Sequence, residues 1–257
     1  MLRIITTFDD VLYRASGHRL LESIRAHLPH AQVLVYTELT QESISETSVP
    51  INILPEFASV ADKNQDIIAT ADTALEPFNR RWFGWFRKVI AQHDALVRRP
   101  FDGYTVFLDA DVRVIRSFPV ALITQQLHRP VGVFRGDRES IESGVIFYDE
   151  KKIAAVDFVR SFMNLYLSGE FRRQRFWADN YIMQCCAESF PDAVQDLAQG
   201  RTAIKYRNSN GHSTSGQILP QTVWGDFLEH DKGLHWRQGL VTAPHQDTIA
   251  GDQRGSS

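Results

Sequence analysis

The residues best suited to chemistry are two aspartates, Asp109 and Asp111, which follow an apolar run and are separated by one small residue. The run at 105–108 predicts a buried strand, so both carboxylates lie where that strand ends. A buried ionised carboxylate costs several kcal/mol unless another charge compensates it. Divalent cations are the usual compensation, and carboxylate oxygens suit hard ions such as Mn²⁺ or Mg²⁺. Ligands of open α/β sheets bind at this end of the strands. The pair therefore predicts a cation site within reach of a phosphorylated ligand.

Alternating strands and helices surround the acidic pair. Hydrophobic residues recur at helical spacing in 16–28 and 152–168, whereas the runs at 2–8 and 31–37 are short and apolar. The predicted strands are residues 2–8, 31–37, 51–54, 105–108, 131–134 and 144–148, and the predicted helices are 16–28, 78–96, 152–168 and 178–188. Strand, helix and strand at this spacing predict an α/β fold with a mostly parallel central sheet flanked by helices.

Composition and charge exclude several classes of protein. The 257 residues are 43% hydrophobic and 23% charged, as in ordinary globular domains. A net charge of -3 and a pI near 6.3 argue against a nucleic-acid partner. The cysteines, Cys185 and Cys186, are adjacent and would bridge only with strain. A chain without a disulfide framework is expected in a reducing cytoplasm.

The sequence also bears on membrane attachment. The first residues lack the charged-then-apolar pattern of a leader, and no uncharged apolar run approaches the ~20 residues that cross a bilayer. Cations and aromatic residues alternate in 171–177, a pattern that suits either a solvated loop or contact with an anionic lipid surface. We expect a cytoplasmic protein, with a peripheral contact at the inner face of the membrane as the alternative.

Six segments, in order, resemble those of the GT-A nucleotide-sugar glycosyltransferases, particularly the family-8-like branch. They are the strand at 3–8, the Trp-rich helix at 82–88, Asp109-Ala110-Asp111, the strand at 143–148 with Glu142 in place of the usual Asn, the helix start at 177–180, and His230-Asp231-Lys232-Gly233. The resemblance implies a single, Rossmann-like GT-A domain over 1–237. The remaining residues, 238–257, are predicted to be a tail that is flexible at its end.

The resemblance implies that Asp109, Asp111 and His230 hold Mn²⁺ (or Mg²⁺) against the two phosphates of a nucleotide sugar. Such a cation stabilises the charge that develops on the departing nucleoside diphosphate. Lys232 would offer its ammonium to the β-phosphate, and Gly233 would let the backbone approach. The implied activity is a hexosyltransferase of polysaccharide biosynthesis, moving sugar from a nucleotide diphosphate, with UDP-sugars favoured, to a hydroxyl of a glycan or lipid-linked acceptor.

Further donor contacts follow from the same resemblance. Thr6, Thr7 and Phe8 would bind the nucleotide base through backbone polar groups and stacking, although Phe8 also suits a core position. One or both of Arg87 and Lys88 would contact the diphosphate or the sugar, unless they belong to a solvated helix face. The implied nucleotide-sugar contacts are Thr6, Thr7, Phe8, Arg87, Lys88, Asp109, Ala110, Lys232 and Gly233.

Three residues are catalytic candidates: Asp179, Asn180 and Glu142. The resemblance implies that Asp179 binds donor-sugar hydroxyls or acts on the acceptor, whereas capping a helix would also explain an Asp there. We expect retention of configuration, for which no strong base is obligatory, although Asn180 stands where the family usually has Gln. An inverting reaction would instead use Asp179 or Glu142 to remove the acceptor hydroxyl proton.

Two other functions fit an Asp-x-Asp motif. Haloacid-dehalogenase-like phosphatases also place this motif after an apolar strand, and Asp109 would then be the nucleophile. Their motif normally opens the chain, whereas three predicted strands precede it here. A nucleotide-sugar binder without catalytic activity is the other alternative, because Glu142 and Asn180 depart from the family pattern.

Overall fold

A mostly parallel, seven-stranded sheet organises the part of the chain that the computed structural model describes, namely residues 1–39, 44–64, 82–136, 141–204 and 217–231. Its strand order is β3-β2-β1-β4-β7-β6-β8, and β5 pairs with β9 in a separate antiparallel ribbon. The strands are β1 Leu2–Thr7, β2 Gln32–Thr37, β3 Thr47–Pro50, β4 Tyr104–Leu108, β5 Val112–Val114, β6 Val131–Phe134, β7 Glu142–Asp149, β8 Val194–Asp196 and β9 Leu228–His230. The predicted α/β fold is confirmed.

Helices cover both faces of the sheet. They are α1 Asp10–Leu12, α2 His18–His27, α3 Pro55–Lys63, α4 Trp82–His93, α5 Val120–Gln126, α6 Ile153–Leu167 and α7 Asp179–Glu188, with π-helical turns at Tyr13–Gly17 and Asp94–Arg98. Ile5 and Phe107 face a core made with α4, α6 and α7. Their neighbours Ile4 and Val106 face a second core, made with α2 and α5. Alternation along each strand thus buries both faces.

One strand runs against the others. β7 pairs antiparallel with both β4 and β6, whereas the pairs β1–β2, β1–β4, β2–β3 and β6–β8 are parallel. The connection from β6 to β7 is shorter than the dozen or so residues that a parallel crossover needs. The register pairs Leu108 with Val145, so β7 begins at the edge where β4 ends. The sequence predicts this strand at 144–148, and in the structure it begins two residues earlier, with Glu142 as the first residue of β7.

The predicted strand at 51–54 is wrong. The strand is Thr47–Pro50, at the edge of the sheet, and Ile51–Ile53 forms a 3₁₀ turn. Pro50 has no N–H to donate, which suits the last position of an edge strand.

An aromatic cluster fixes α4, the helix that carries Lys88. Trp82 and Phe86 are buried, and their rings lie 4.9 Å from Phe171 and 5.1 Å from Tyr166, respectively. Each such side chain contributes about 1.5–3 kcal/mol when fully buried. No helix in the described part of the chain combines the length and apolar character needed to cross a bilayer.

Candidate metal centre

The end of β4 presents Asp109 and Asp111 at the carboxyl edge of the sheet. The backbone N–H of Asp109 donates to the carbonyl of Gly144 at 2.8 Å, which ties Asp109 to the start of β7. A tight turn follows, in which the N–H of Val112 donates to the carbonyl of Asp109 at 3.0 Å. Both aspartates are half-buried. The strand end and the two carboxylates therefore lie where the sequence predicts them.

The ribbon of β5 and β9 brings His230 to the aspartates. Val112 pairs with His230 across the ribbon, and the N–H of Asp231 donates to the carbonyl of Asp111 at 2.9 Å. The side-chain amide of Gln217 donates to the carbonyl of His230 at 2.9 Å. His230 is 4% exposed, so its imidazole is held inside the site.

Asp109, Asp111 and His230 each offer one ligand atom, and these atoms lie within 4.8 Å of one another. His230 Nε2 is 3.1 Å from Asp111 Oδ1. Oxygen and nitrogen ligands lie about 2.0–2.2 Å from small divalent cations, so two ligands on opposite sides of one ion are about 4 Å apart. Small side-chain rotations would therefore bring all three atoms onto one ion.

Glu142 and Gly144 hold the His230 ring from behind. Glu142 Oε1 lies 2.8 Å from His230 Nδ1, and Glu142 Oε2 accepts from the backbone N–H of Ile218 at 3.3 Å. A Cβ atom added at Gly144 would lie 2.3 Å from His230 Cε1, closer than any ordinary contact. The ring thus rests directly on the backbone of β7, and only glycine leaves room for it.

Lys88 lies between Asp109 and the start of α7. Its Nζ is 2.7 Å from Asp109 Oδ2 and 3.4 Å from Asp179 Oδ2. Asp179 is the first residue of α7 and is buried, so the helix dipole also stabilises its negative charge. The sequence predicts all three residues as site residues, and the structure brings them together.

Carboxylates and basic groups meet in this cluster. Among the described residues, the carboxylates of Asp109, Asp111, Glu142 and Asp179 lie within hydrogen-bond or ion-pair distance of the Lys88 ammonium or the His230 imidazole. Burial raises the pKa of Asp109 to about 6; Lys88 opposes this, and Asp111 and Asp179 add to it. A mixed set of carboxylate oxygen and imidazole nitrogen donors fits a hard divalent cation.

The pKa values of the two basic groups of the cluster are raised as well. Burial alone would lower the pKa of His230, but Asp111 and then Glu142 outweigh it and raise the pKa to about 9. Burial would likewise lower the pKa of Lys88, and the charges of Asp109 and Asp179 raise it above its usual range.

The residues predicted to contact the nucleotide base lie at the end of β1, and their side chains are buried. Phe8 is 1% exposed and packs on Tyr13 with ring centroids 5.4 Å apart, so its ring has no open face for a base. Thr7 Oγ1 donates to the carbonyl of Tyr36, and Thr6 Oγ1 is buried without a hydrogen-bond partner among the described residues. Stacking by Phe8 therefore does not fit this structure, whereas backbone contacts at this strand end remain compatible with it.

Other predicted residues lie around the cluster or outside the described part of the chain. Arg87 forms an ion pair with Glu38, whereas Lys88 pairs with Asp109 and Asp179. Ala110 packs in a small core with Phe8, and Asn180 follows Asp179 in α7. Lys232, Gly233 and the predicted tail at 238–257 lie outside the described residues.

Sequence reasoning missed the contact of Glu142 with His230. The two residues are 88 positions apart, and no local pattern links them. A weak signal did exist, because Gly144 interrupts an otherwise apolar strand, which often marks a close approach by another group.

No protein-family model and no curated protein matches this chain. Solved structures do. Mouse xyloside xylosyltransferase 1 is 9% identical with a TM-score of 0.46, over 76% of this chain and 84% of that one. The glycosyltransferase GlyE of Streptococcus pneumoniae is 13% identical with a TM-score of 0.46, over 76% of this chain and 45% of that one. A glycosyltransferase involved in the glycosylation of the major capsid of PBCV-1 is 14% identical with a TM-score of 0.47, over 93% of this chain and 97% of that one. These structures are all of glycosyltransferases, but likeness at this level does not define an activity, which has to be inferred from the site.

Proposed function

We propose that the protein is a metal-dependent glycosyltransferase that moves a sugar from a nucleotide diphosphate, with UDP-sugars favoured, to a hydroxyl of a glycan or lipid-linked acceptor. One observation carries the proposal: ligand atoms of Asp109, Asp111 and His230 lie within 4.8 Å of one another, and the ammonium of Lys88 touches one of the aspartates. A cation site beside a fixed ammonium is suited to a diphosphate group.

Mn²⁺ or Mg²⁺ held by these three residues would act as a Lewis acid toward the leaving diphosphate. The protein's own part is to fix the ligands before substrate arrives, through the Gly144 carbonyl on Asp109 and the β5–β9 ribbon on His230. Groups that are already oriented need no reorganisation as charge develops, which is how such sites lower barriers.

Lys88 is proposed to bind a phosphate oxygen. Its ammonium is mostly buried and is held between Asp109 and Asp179, so it points into the cluster before any ligand binds. A phosphate oxygen would add to these partners or replace one of them. We keep Lys232 and Gly233 as further proposed contacts to the β-phosphate, and Arg87 as a proposed contact to the diphosphate or the donor sugar.

Asp179 and Glu142 are proposed to have different roles. The carboxylate of Asp179 faces Lys88 at the edge of the cluster, where it suits hydrogen bonds from donor-sugar hydroxyls. Glu142 is 1% exposed and lies behind His230, a position poorly suited to removing a proton from an acceptor. With Glu142 assigned elsewhere, retention of configuration, in which the leaving phosphate accepts the proton, is the favoured outcome, and Asn180 would border the sugar.

The test is a donor screen in which the protein is incubated with nucleotide sugars and Mn²⁺, and nucleoside diphosphate release is measured with and without EDTA. Metal-dependent release that is lost in Asp111→Asn supports the transferase. Phosphate release from simple monoesters would favour the phosphatase, and tight binding without turnover would favour the non-catalytic binder. Proton NMR of the product's anomeric position then decides between retention and inversion.

A cytoplasmic location is proposed on the basis of the two thiols, which are free in the structure. Peripheral contact with a membrane at 171–177 is part of the same proposal if the acceptor is lipid-linked. Vesicle co-sedimentation with anionic and neutral lipids would separate the two cases.

A further inference from the structure

We infer that Glu142 is a positioning residue, which keeps the hydrogen of His230 on Nδ1 and thereby presents Nε2 to the metal. The inference rests on the proposed function, because it concerns the proposed ligand His230. It replaces the role of catalytic base that the sequence suggests for Glu142.

The hydrogen bond between Glu142 and His230 can have only one donor, the imidazole. An ionised carboxylate only accepts hydrogen bonds, so the ring nitrogen 2.8 Å from Glu142 Oε1 has to carry a hydrogen. That nitrogen is Nδ1, while Nε2 faces Asp111 at 3.1 Å, on the side of the ligand cluster. Metal-bound histidines commonly donate their other ring N–H to a carboxylate, which fixes the ring and raises its basicity.

Burial makes this arrangement hard to replace. The side chains of Glu142 and His230 are 1% and 2% exposed, respectively, so water has no ready access to the bond. The ring already lies against the β7 backbone at Gly144, since even an added Cβ there would be only 2.3 Å from it. The ring therefore cannot shift toward β7. The imidazole is thus held by a carboxylate at one end and by a backbone surface beneath it.

A second hydrogen bond makes Glu142→Gln an informative change. Glu142 Oε2 accepts from the backbone N–H of Ile218 at 3.3 Å, and a backbone amide cannot exchange its donor for an acceptor. A glutamine has one acceptor oxygen where the glutamate has two. If that oxygen serves Ile218, the amide N–H₂ faces Nδ1 and forces it to accept. The hydrogen then moves to Nε2, and that nitrogen can no longer bind a metal.

The experiment measures binding of Mn²⁺ alone, from the electron paramagnetic resonance signal of the free ion. Glu142→Gln should weaken binding by about 10- to 100-fold, close to the effect of His230→Gln. The double variant should bind no more weakly than either single variant, because both act through the same ligand. Glu229→Gln is the matched control, since it makes the same change one residue from His230 at an exposed position paired with Arg113. Its affinity should equal that of the wild type.

A second readout requires only the wild type and therefore does not depend on the folding of a variant. Proton NMR of the Co²⁺-loaded protein should show a strongly shifted, exchangeable N–H signal from Nδ1 in H₂O, which is lost after exchange into D₂O. Wild-type affinity in Glu142→Gln, additive losses in the double variant, or a wild type without the N–H signal would each overturn the inference while leaving the metal site intact. A wild type that binds no Mn²⁺ would overturn the proposed function itself.

Discussion

Gly144→Ala is the most stringent test of how the site is built. In most strands this change would be neutral or stabilising, because glycine costs about 0.5–1 kcal/mol relative to alanine inside a regular element. Here the new Cβ would lie 2.3 Å from His230 Cε1, 2.9 Å from Nδ1 and 3.0 Å from Nε2. The methyl group and the imidazole cannot occupy these positions together.

The size of the effect follows from these distances. Ordinary contacts of a Cβ begin at 3.4 Å, so the ring has to move by about 1.1 Å, the difference between 3.4 and 2.3. Metal coordination tolerates only about 0.2 Å. We expect Mn²⁺ affinity to fall at least about tenfold, or about 1.4 kcal/mol. Crowding should also lower the free energy of unfolding by about 1–3 kcal/mol.

The assay is Mn²⁺ titration by calorimetry together with urea unfolding in EDTA. Gly84→Ala is the matched control, because nothing lies within 4 Å of a Cβ at that position, in the same helix as Lys88. It should leave affinity unchanged and raise stability by about 0.5–1 kcal/mol. In a His230→Ala background, adding Gly144→Ala should no longer lower the free energy of unfolding, since the clashing ring is gone.

Wild-type Mn²⁺ affinity in Gly144→Ala would refute the reasoning. It would mean that the ring does not rest on β7 or that His230 is not a ligand. An equal loss of stability from Gly144→Ala in the His230→Ala background would place the clash elsewhere in the fold.

Three further outcomes are expected at the same cluster. Lys88→Met removes the ammonium beside Asp109. Calorimetry should then show that Mn²⁺ alone binds more tightly and that UDP binds more weakly in the presence of Mn²⁺, each by about tenfold, or about 1.4 kcal/mol. Unchanged UDP binding would exclude contact of Lys88 with a phosphate. Asp111→Asn should abolish Mn²⁺-dependent UDP binding while the melting temperature stays equal or rises, because like-charge repulsion is removed; an unaltered affinity would contradict the ligand assignment. In EDTA, the pKa of His230 is raised to about 9 from the ordinary 6.5, so its stabilising contribution is complete below about pH 6.5 and is lost as the pH rises through about 9. Urea unfolding should record this decline, and His230→Gln should flatten it; an equal slope in both proteins would speak against the raised pKa.

Much of the fold could be predicted because its signals are local. The apolar periodicity of 152–168 corresponds to a helix at Ile153–Leu167, and the short run 131–134 is the strand Val131–Phe134. The strand near Pro50 was misplaced, since a short apolar run between two prolines suits several conformations. The direction of β7 was not predicted, although the short connection before it favours a hairpin.

The sequence predicts the proposed metal ligands better than it predicts the residues that hold these ligands in place. Asp109 and Asp111 follow directly from one strand and its end, and His230 followed from a family resemblance. The interaction of Glu142 with His230 depends on how β7 and β9 meet in space, which a single sequence does not record. The burial of Phe8 likewise depends on packing against Tyr13, since an aromatic residue at a strand end suits both core and ligand contact.

The ribbon of β5 and β9 has a consequence for synthesis of the chain. Asp111 and His230 are 119 positions apart, so all seven strands of the main sheet are synthesised before the proposed ligand His230. A nascent chain would therefore hold metal weakly until β9 is released and pairs with β5. Ion capture at that moment would close a long loop of polypeptide, and longer loops gain more from being closed.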